Sequence, residues 1–300
     1  MPRIIETGET AETDLQSCVA ALLDKGFDPQ DEESLDHAAR QLKQLANNRN
    51  FLGDIVIEEL KNRCRDQSSR NNYSAQVIML FQDGGDFFLR ANLWPSADDA
   101  LVRASGMAPF YFDVPHDHNF SFLTVGYSGP GYWSDYYEFD YESVEGIVGE
   151  QVDLTFVEHS RLDLGKLMLY RAHKDIHRQL PADALSVSVN IMHMAQHQPW
   201  YDQYRFDLES GRIDGILTHT SGESLLKLAV HVAGGNGLDV AEQFARSHPS
   251  ARVRFSAIEA LASACPDADS RRRIWHGAAA DDLAFVRAGA AKRLALLEGS

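Results

Sequence analysis

The sequence predicts an α+β fold, an antiparallel β-barrel flanked by an N-terminal helical segment and a C-terminal run of helical repeats. Three observations predict it. Apolar residues recur at helical spacing over residues 1–70. Short β-prone runs, punctuated by Gly, Pro and Asp/Asn, fill residues 73 to 194. A ten-residue pattern then returns near the C-terminus, Val253–Ala262 and again Val286–Ala295, at an offset of 286 − 253 = 33 residues.

In the N-terminal segment, Leu15, Val19, Leu22 and Leu23 follow Asp14 as one helix, with Gly26 as its stop. Leu35, Ala38, Ala39, Leu42 and Leu45 make the stripe of a second helix, and Phe51, Ile55, Val56 and Leu60 that of a third. Two runs then surround Asp83-Gly84-Gly85-Asp86, Val77–Phe81 and Phe87–Trp94, and read as a hairpin. Further strands are expected at Phe110–Val114, Phe120–Tyr127, Tyr132–Tyr141, Val152–Val157, Lys166–Tyr170 and Leu185–Met192. In the C-terminal repeat, Leu228-Ala229 is a fainter third copy, and small residues recur where paired helices would touch. The expected divisions are residues 1–70 for the helical segment, 71–205 for the barrel and 206–300 for the repeats.

Composition narrows the function classes. Three hundred residues is about two domains' worth at ~150 residues each. Lys+Arg total 28 and Asp+Glu 44, so the formal charge is 28 − 44 = −16. Such a chain repels phosphate backbones, which argues against a nucleic-acid partner. The cysteines number three and are widely spaced, the pattern of a reducing compartment without a disulfide framework. No run reaches the ~20 apolar residues of a membrane span, and the acidic N-terminus lacks an apolar signal core. A cytoplasmic protein without a membrane partner is therefore expected.

The chemistry-bearing signal is Pro115-His116-Asp117-His118. On a strand, residues i and i+2 share a side, so His116 and His118 can reach one metal ion. Phe120, Phe122 and Thr124 would continue that face, with Asp117, Asn119 and Ser121 on the other. A third ligand must come from another strand. His177 closes Gly165-Lys-Leu-Met-Leu-Tyr-Arg-Ala-His-Lys-Asp-Ile-His177, with His173 its competitor. If the chain folds back about Tyr127-Ser-Gly-Pro-Gly131, an even-numbered carboxylate, Glu138, Asp140 or Glu142, faces His118. Glu138 is the candidate fourth ligand. Arg90 is the candidate clamp for a substrate carboxylate, since guanidinium binds carboxylate bidentately. Tyr136 is the second candidate catalytic residue.

Taken together, His116-Asp117-His118 and the Gly165…His177 stretch resemble the two motifs of the cupin superfamily, over roughly residues 75–195. The strand ending in Trp94 ahead of the histidines is most similar to the cysteine-dioxygenase-type branch. The resemblance implies a small antiparallel barrel holding one ion, Fe(II) first, with Mn, Zn or Ni as alternatives. The sequence departs from the usual first motif, which places a Glu a few residues after the histidines; Phe122 and Leu123 stand there. The second motif is one residue longer than usual. The Val-Arg-x-x-Ala-x-x-x-Leu-Ala pattern resembles HEAT repeats, which implies a helical solenoid after residue 206.

The implied activity is that of a non-haem Fe(II) oxygenase using O2 on a small amino acid, thiol or peptide. Neutral imidazoles suit Fe(II) and leave positions open for both reactants. The rival reading is a metal-binding sensor or scaffold that docks a protein partner, or a second copy of itself, through the C-terminal helices. A Zn or Mn isomerase or epimerase is a third.

Overall fold

The computed structural model describes residues 2–71, 73, 76–218 and 220–298. The chain divides into two compact units. The first comprises residues 2–141, 153–198 and 205–211, and the second 142–152, 199–204 and 212–298. In chain order, β1 (Arg3–Ile4) precedes helices α1 (Leu15–Lys25), α2 (Glu32–Asn47), α3 (Phe51–Lys61) and α4 (Arg65–Arg70). Strands β2 (Val77–Gln82) and β3 (Phe87–Trp94) follow, then the short α5 (Ala100–Ser105). Next come β4 (Phe122–Ser128), β5 (Trp133–Glu138), β6 (Thr155–Arg161), β7 (Leu167–Tyr170), β8 (Asp175–Gln179) and β9 (Ser186–His193). Strands β10 (Tyr204–Asp207) and β11 (Arg212–Ile216) lead to α6 (Ser221–Val232), α7 (Gly234–Ser247), α8 (Ala251–Ser263), α9 (Ala268–Ala278) and α10 (Ala284–Glu298).

The first unit mixes helices with two antiparallel sheets. One has the order β1-β7-β4-β9-β3-β2, the other β6-β5-β8. Alternation decides what each face of the large sheet meets. Leu89 and Ala91 of β3, Leu123 and Val125 of β4, and Val189 and Ile191 of β9 face α1 to α3, where Leu22, Leu35, Leu42 and Leu45 are fully buried. Each such leucine contributes about 1.5–3 kcal/mol of burial. The helices form as their caps direct: Asp14 accepts from the Ser17 amide, and Asp31 from those of Glu33 and Ser34. The even-numbered side chains turn the other way. Phe88, Trp94, Phe122 and Met192 of the large sheet meet Tyr132 and Tyr136 of the β5 region in a second core between the sheets.

The hairpin β2–β3 forms where the Gly-Gly turn puts it. Two other expectations are corrected. Phe110–Val114 is no strand: Pro109 opens a 3-10 turn over Ala108–Phe110, and Tyr111 and Asp113 then take positive φ of 56° and 61°. Nor do β4 and β5 form a hairpin about Tyr127–Gly131. They belong to different sheets, and the chain crosses between them. Glycine makes the crossing feasible. Gly131 has φ +86°, and a Cβ there would stand 2.1 Å from the Leu162 carbonyl oxygen. Gly131→Ala adds about 1–2 kcal/mol of left-handed strain to that steric contact. A fall in melting temperature of several degrees is expected in a thermal scan.

The second unit contains the five C-terminal helices. α8 packs against α6, α7, α9 and α10. The 33-residue offset read from the sequence joins equivalent buried places: Val253 and Ala257 on α8 match Val286 and Ala290 on α10. Leu261 and Leu294 are both half-buried. The fainter copy does not follow suit. Leu228 is exposed, and α6 uses Leu226 and Val230 for its core instead.

Candidate metal centre

His116, His118 and His177 converge. Among the described residues they are the group of His, Cys, Asp and Glu side chains placed to hold an ion, and all three are buried. The Nε2 atoms of His118 and His177 lie 3.1 Å apart, and those of His177 and His116 also 3.1 Å apart. Backbone pairing brings them together. The His116 amide donates to the His177 carbonyl at 3.1 Å, and the His177 amide to the His116 carbonyl at 3.0 Å. As direct cross-strand partners, their side chains share a face. His116 and His118 share a side as alternation requires, although the segment is an extended bridge beside β8 rather than part of β4. Asp117, between them in the chain, is fully buried.

His177 lies on β8. His173 stands apart, in the turn before β8. Its φ is +59°, its ring lies against Tyr141 at 4.3 Å, and its amide donates to the His118 carbonyl. Tyr111, Asp113 and His173 account for three of the five positive-φ residues other than glycine among those described. All three flank the segments that carry the ligand histidines, the kind of place where backbone strain collects.

The environment keeps the His116 and His177 imidazoles neutral. Burial depresses the His116 pKa to about 4, against the opposing hydrogen bond to Val114, and holds His177 well below its ordinary value, helped by His116. His116 Nδ1 lies 2.7 Å from the Val114 carbonyl oxygen. A carbonyl only accepts, so the proton sits on Nδ1 and the Nε2 lone pair faces the other two rings. Such a donor set fits a divalent cation: three Nε2 atoms around one point, one ring oriented by a backbone acceptor. Phe120 and Phe122 flank His118, with ring centroids at 4.7 and 5.1 Å, and Tyr170 stands edge-on to His177 at 5.0 Å.

Glu138 does not join the cluster. It pairs across β5 with Thr155 and Asp175, and its carboxylate meets Arg171 at 2.8 Å and Lys174 at 3.7 Å. Partial burial pushes this carboxyl up, but its cationic partners, Arg171 among them, outweigh that and hold it at about 2. The expected placement opposite His118 required the β4–β5 hairpin that the crossover replaces. Glu138→Gln should therefore leave metal stoichiometry unchanged, as metal analysis after dialysis would read.

Tyr136 is the β5 partner of His177 and is fully buried, with its hydroxyl 2.9 Å from that of Tyr170. Burial pushes both phenols up. Tyr132 joins them through Tyr170 and Gln179, its own phenol raised by burial to about 12. Arg90 lies on β3 opposite Asn190 of β9, on the face between the sheets. Its guanidinium carbon stands 4.9 Å from the Tyr73 ring centroid. Its Nε is sealed from solvent with no hydrogen-bond partner, and desolvation lowers its pKa.

Sequence reasoning missed the polar row beside Arg90. Asn190 pairs with Thr124, and Asn92 with Ser188, on the same inner face; all four are buried. The signal was present in β9, where Ser186, Ser188 and Asn190 alternate with Val187, Val189 and Ile191.

No family model matches the chain, and no curated protein matches it. Solved structures similar to parts of it include a hydroquinone 1,2-dioxygenase in complex with Cd2+ and 4-hydroxybenzonitrile, at 11% identity and a TM-score of 0.27, covering 43% of this chain and 71% of that one. The DMSP lyase DddQ from Ruegeria pomeroyi DSS-3 is similar at 10% identity and a TM-score of 0.25, covering 43% of this chain and 51% of that one. Vicilin from Corylus avellana (hazelnut) is similar at 9% identity and a TM-score of 0.22, covering 46% and 34%.

Proposed function

We propose that this chain is a metal-dependent cupin-type oxygenase acting with O2 on a small amino acid, thiol or peptide. The observation that carries the reading is the buried three-histidine cluster, in which His177 Nε2 lies 3.1 Å from the Nε2 atoms of both His116 and His118. Fe(II) bound there would supply open coordination positions for O2 and substrate. The protein's own part is to orient and to exclude water. His116, fixed through Val114, holds its lone pair toward the ion. Phe120 and Phe122 keep solvent from His118. Arg90, a cation that no Asp or Glu pairs among the described residues, holds the substrate carboxylate. Tyr136 and Tyr170 set the polarity of the wall behind His177. The test is metal analysis of the purified chain followed by a screen of amino acids and thiols for O2 uptake and mass gain. Bound iron with O2-dependent mass gain supports the reading.

A second reading has its own observation. On α6, Leu225, Leu228 and Val232 are exposed, at 59, 55 and 70%. An apolar stripe of that kind suits a HEAT-like module that docks a protein. A redox-inert metal with no turnover in the same assays favours this metal-binding scaffold.

A further inference from the structure

The large sheet orders its inner residues in rows. Phe88, Met192 and Phe122 form one row across β3, β9 and β4, and Phe122 is the residue that meets His118. Two residues along each strand, about 7 Å away, lies the row Arg90, Asn190 and Thr124. Asn92 and Ser188 begin the next. The Asn190 amide is oriented: its Nδ2 donates to Thr124 Oγ1 at 2.7 Å. That leaves Asn190 Oδ1 as an acceptor. Asn190 Oδ1 and Asn92 Oδ1 are both sealed from solvent without a hydrogen-bond partner, in residues only 3 and 7% exposed. Buried carbonyl oxygens are normally satisfied, and leaving them bare is costly.

An arginine whose cross-strand partner is Asn190, and which stands two residues from Asn92 on the same face, has a definite complement. The cation takes a carboxylate. The acceptors take hydrogen-bond donors close to that carboxylate, and Asn Oδ1 can only accept. We infer that Asn92 and Asn190 are specificity-determining residues that select carboxylates bearing an adjacent donor, an ammonium or a hydroxyl group, over plain carboxylates. This rests on the proposed role of Arg90 as the carboxylate site. A plain carboxylate leaves the acceptors unsatisfied once water is expelled, and sites built to hydrogen-bond a substrate group discriminate strongly against analogues lacking it.

The probes are propanoate, 2-hydroxypropanoate and 2-aminopropanoate, titrated calorimetrically into the full chain as purified. The two donor-bearing probes should bind at least about tenfold tighter than propanoate. An α-donor can also chelate a metal ion, so the variants assign the cause. Asn190→Asp places a charge beside the donor. It should tighten 2-aminopropanoate and weaken the other two, a change that chelation cannot produce. Asn92→Asp should act in the same direction. Equal affinity for the three probes in the unmutated chain overturns the inference, with no variant needed. So does a ranking that neither Asp variant alters while metal content holds. Arg90→Met separates the two readings. If it abolishes binding of all three probes, the carboxylate site stands whatever the ranking; if it abolishes none, that site fails, and this inference fails with it.

Discussion

His177→Ala should strip the metal, with at least a 100-fold loss of affinity, while His173→Ala retains it. Losing a group that only orients a ligand already costs about 10–100-fold in metal affinity, and the loss of a direct ligand costs more. The contrast rests on geometry. His177 Nε2 is 3.1 Å from the Nε2 atoms of both other histidines, whereas His173 turns to Tyr141. Removing the buried imidazole also removes ring packing against Tyr170 and His116, so circular dichroism and a melting curve belong beside the metal analysis. The backbone bridge between His116 and His177 uses main-chain atoms only and survives the substitution. Retention of metal by His177→Ala, with loss from His173→Ala, would reverse the assignment. His116→Ala and His118→Ala should behave as His177→Ala does.

What the sequence made legible followed from periodicity. Leu15, Val19 and Leu22 of the first helix stripe and Leu35–Leu45 of the second name residues that cover the large sheet, while Leu23 stays exposed. The spacing of His116 and His118 puts both on one side even though the segment is not a regular strand. What it hid was pairing. Glu138 was placed from an assumed fold-back at Gly129-Pro130, but register between non-local strands is written in no local pattern. Gly129 and Gly131 serve a crossing rather than a hairpin. β8 escaped notice because Asp175-Ile-His-Arg-Gln carries one apolar residue, and its burial comes from neighbours on both sides. The inner polar row was hidden in the same way. Asn92 and Asn190 declare themselves only when β3 and β9 are set side by side.

Arg252→Ala should destabilise the second unit by about 3–5 kcal/mol, the usual effect of removing one partner from a buried ion pair. Arg252 is 8% exposed at the start of α8. Its Nε donates to Asp202 Oδ1 at 2.6 Å, and its NH1 lies 2.5 Å from Glu223 Oε1 as an ion-pair contact. Ser256, one turn on, donates to the same Glu223 oxygen at 3.1 Å. One guanidinium thus ties residues 199–204, α6 and α8 of that unit, and its loss leaves two carboxylates facing one buried space. The pH dependence identifies the cause. Burial raises the Asp202 carboxyl, and Arg252 is what opposes that rise. Without Arg252 the folded-state pKa climbs further above the unfolded value. A folded-state carboxyl pKa raised above the unfolded one favours the folded chain as pH falls through that interval. The deficit of Arg252→Ala should therefore be largest at neutral pH and shrink on acidification, with denaturant titrations at several pH values as the readout. Arg252→Met combined with Asp202→Asn and Glu223→Gln should recover part of the loss, because no unpaired charge remains. A deficit that stays constant with pH would mean that lost packing, not uncompensated charge, is responsible.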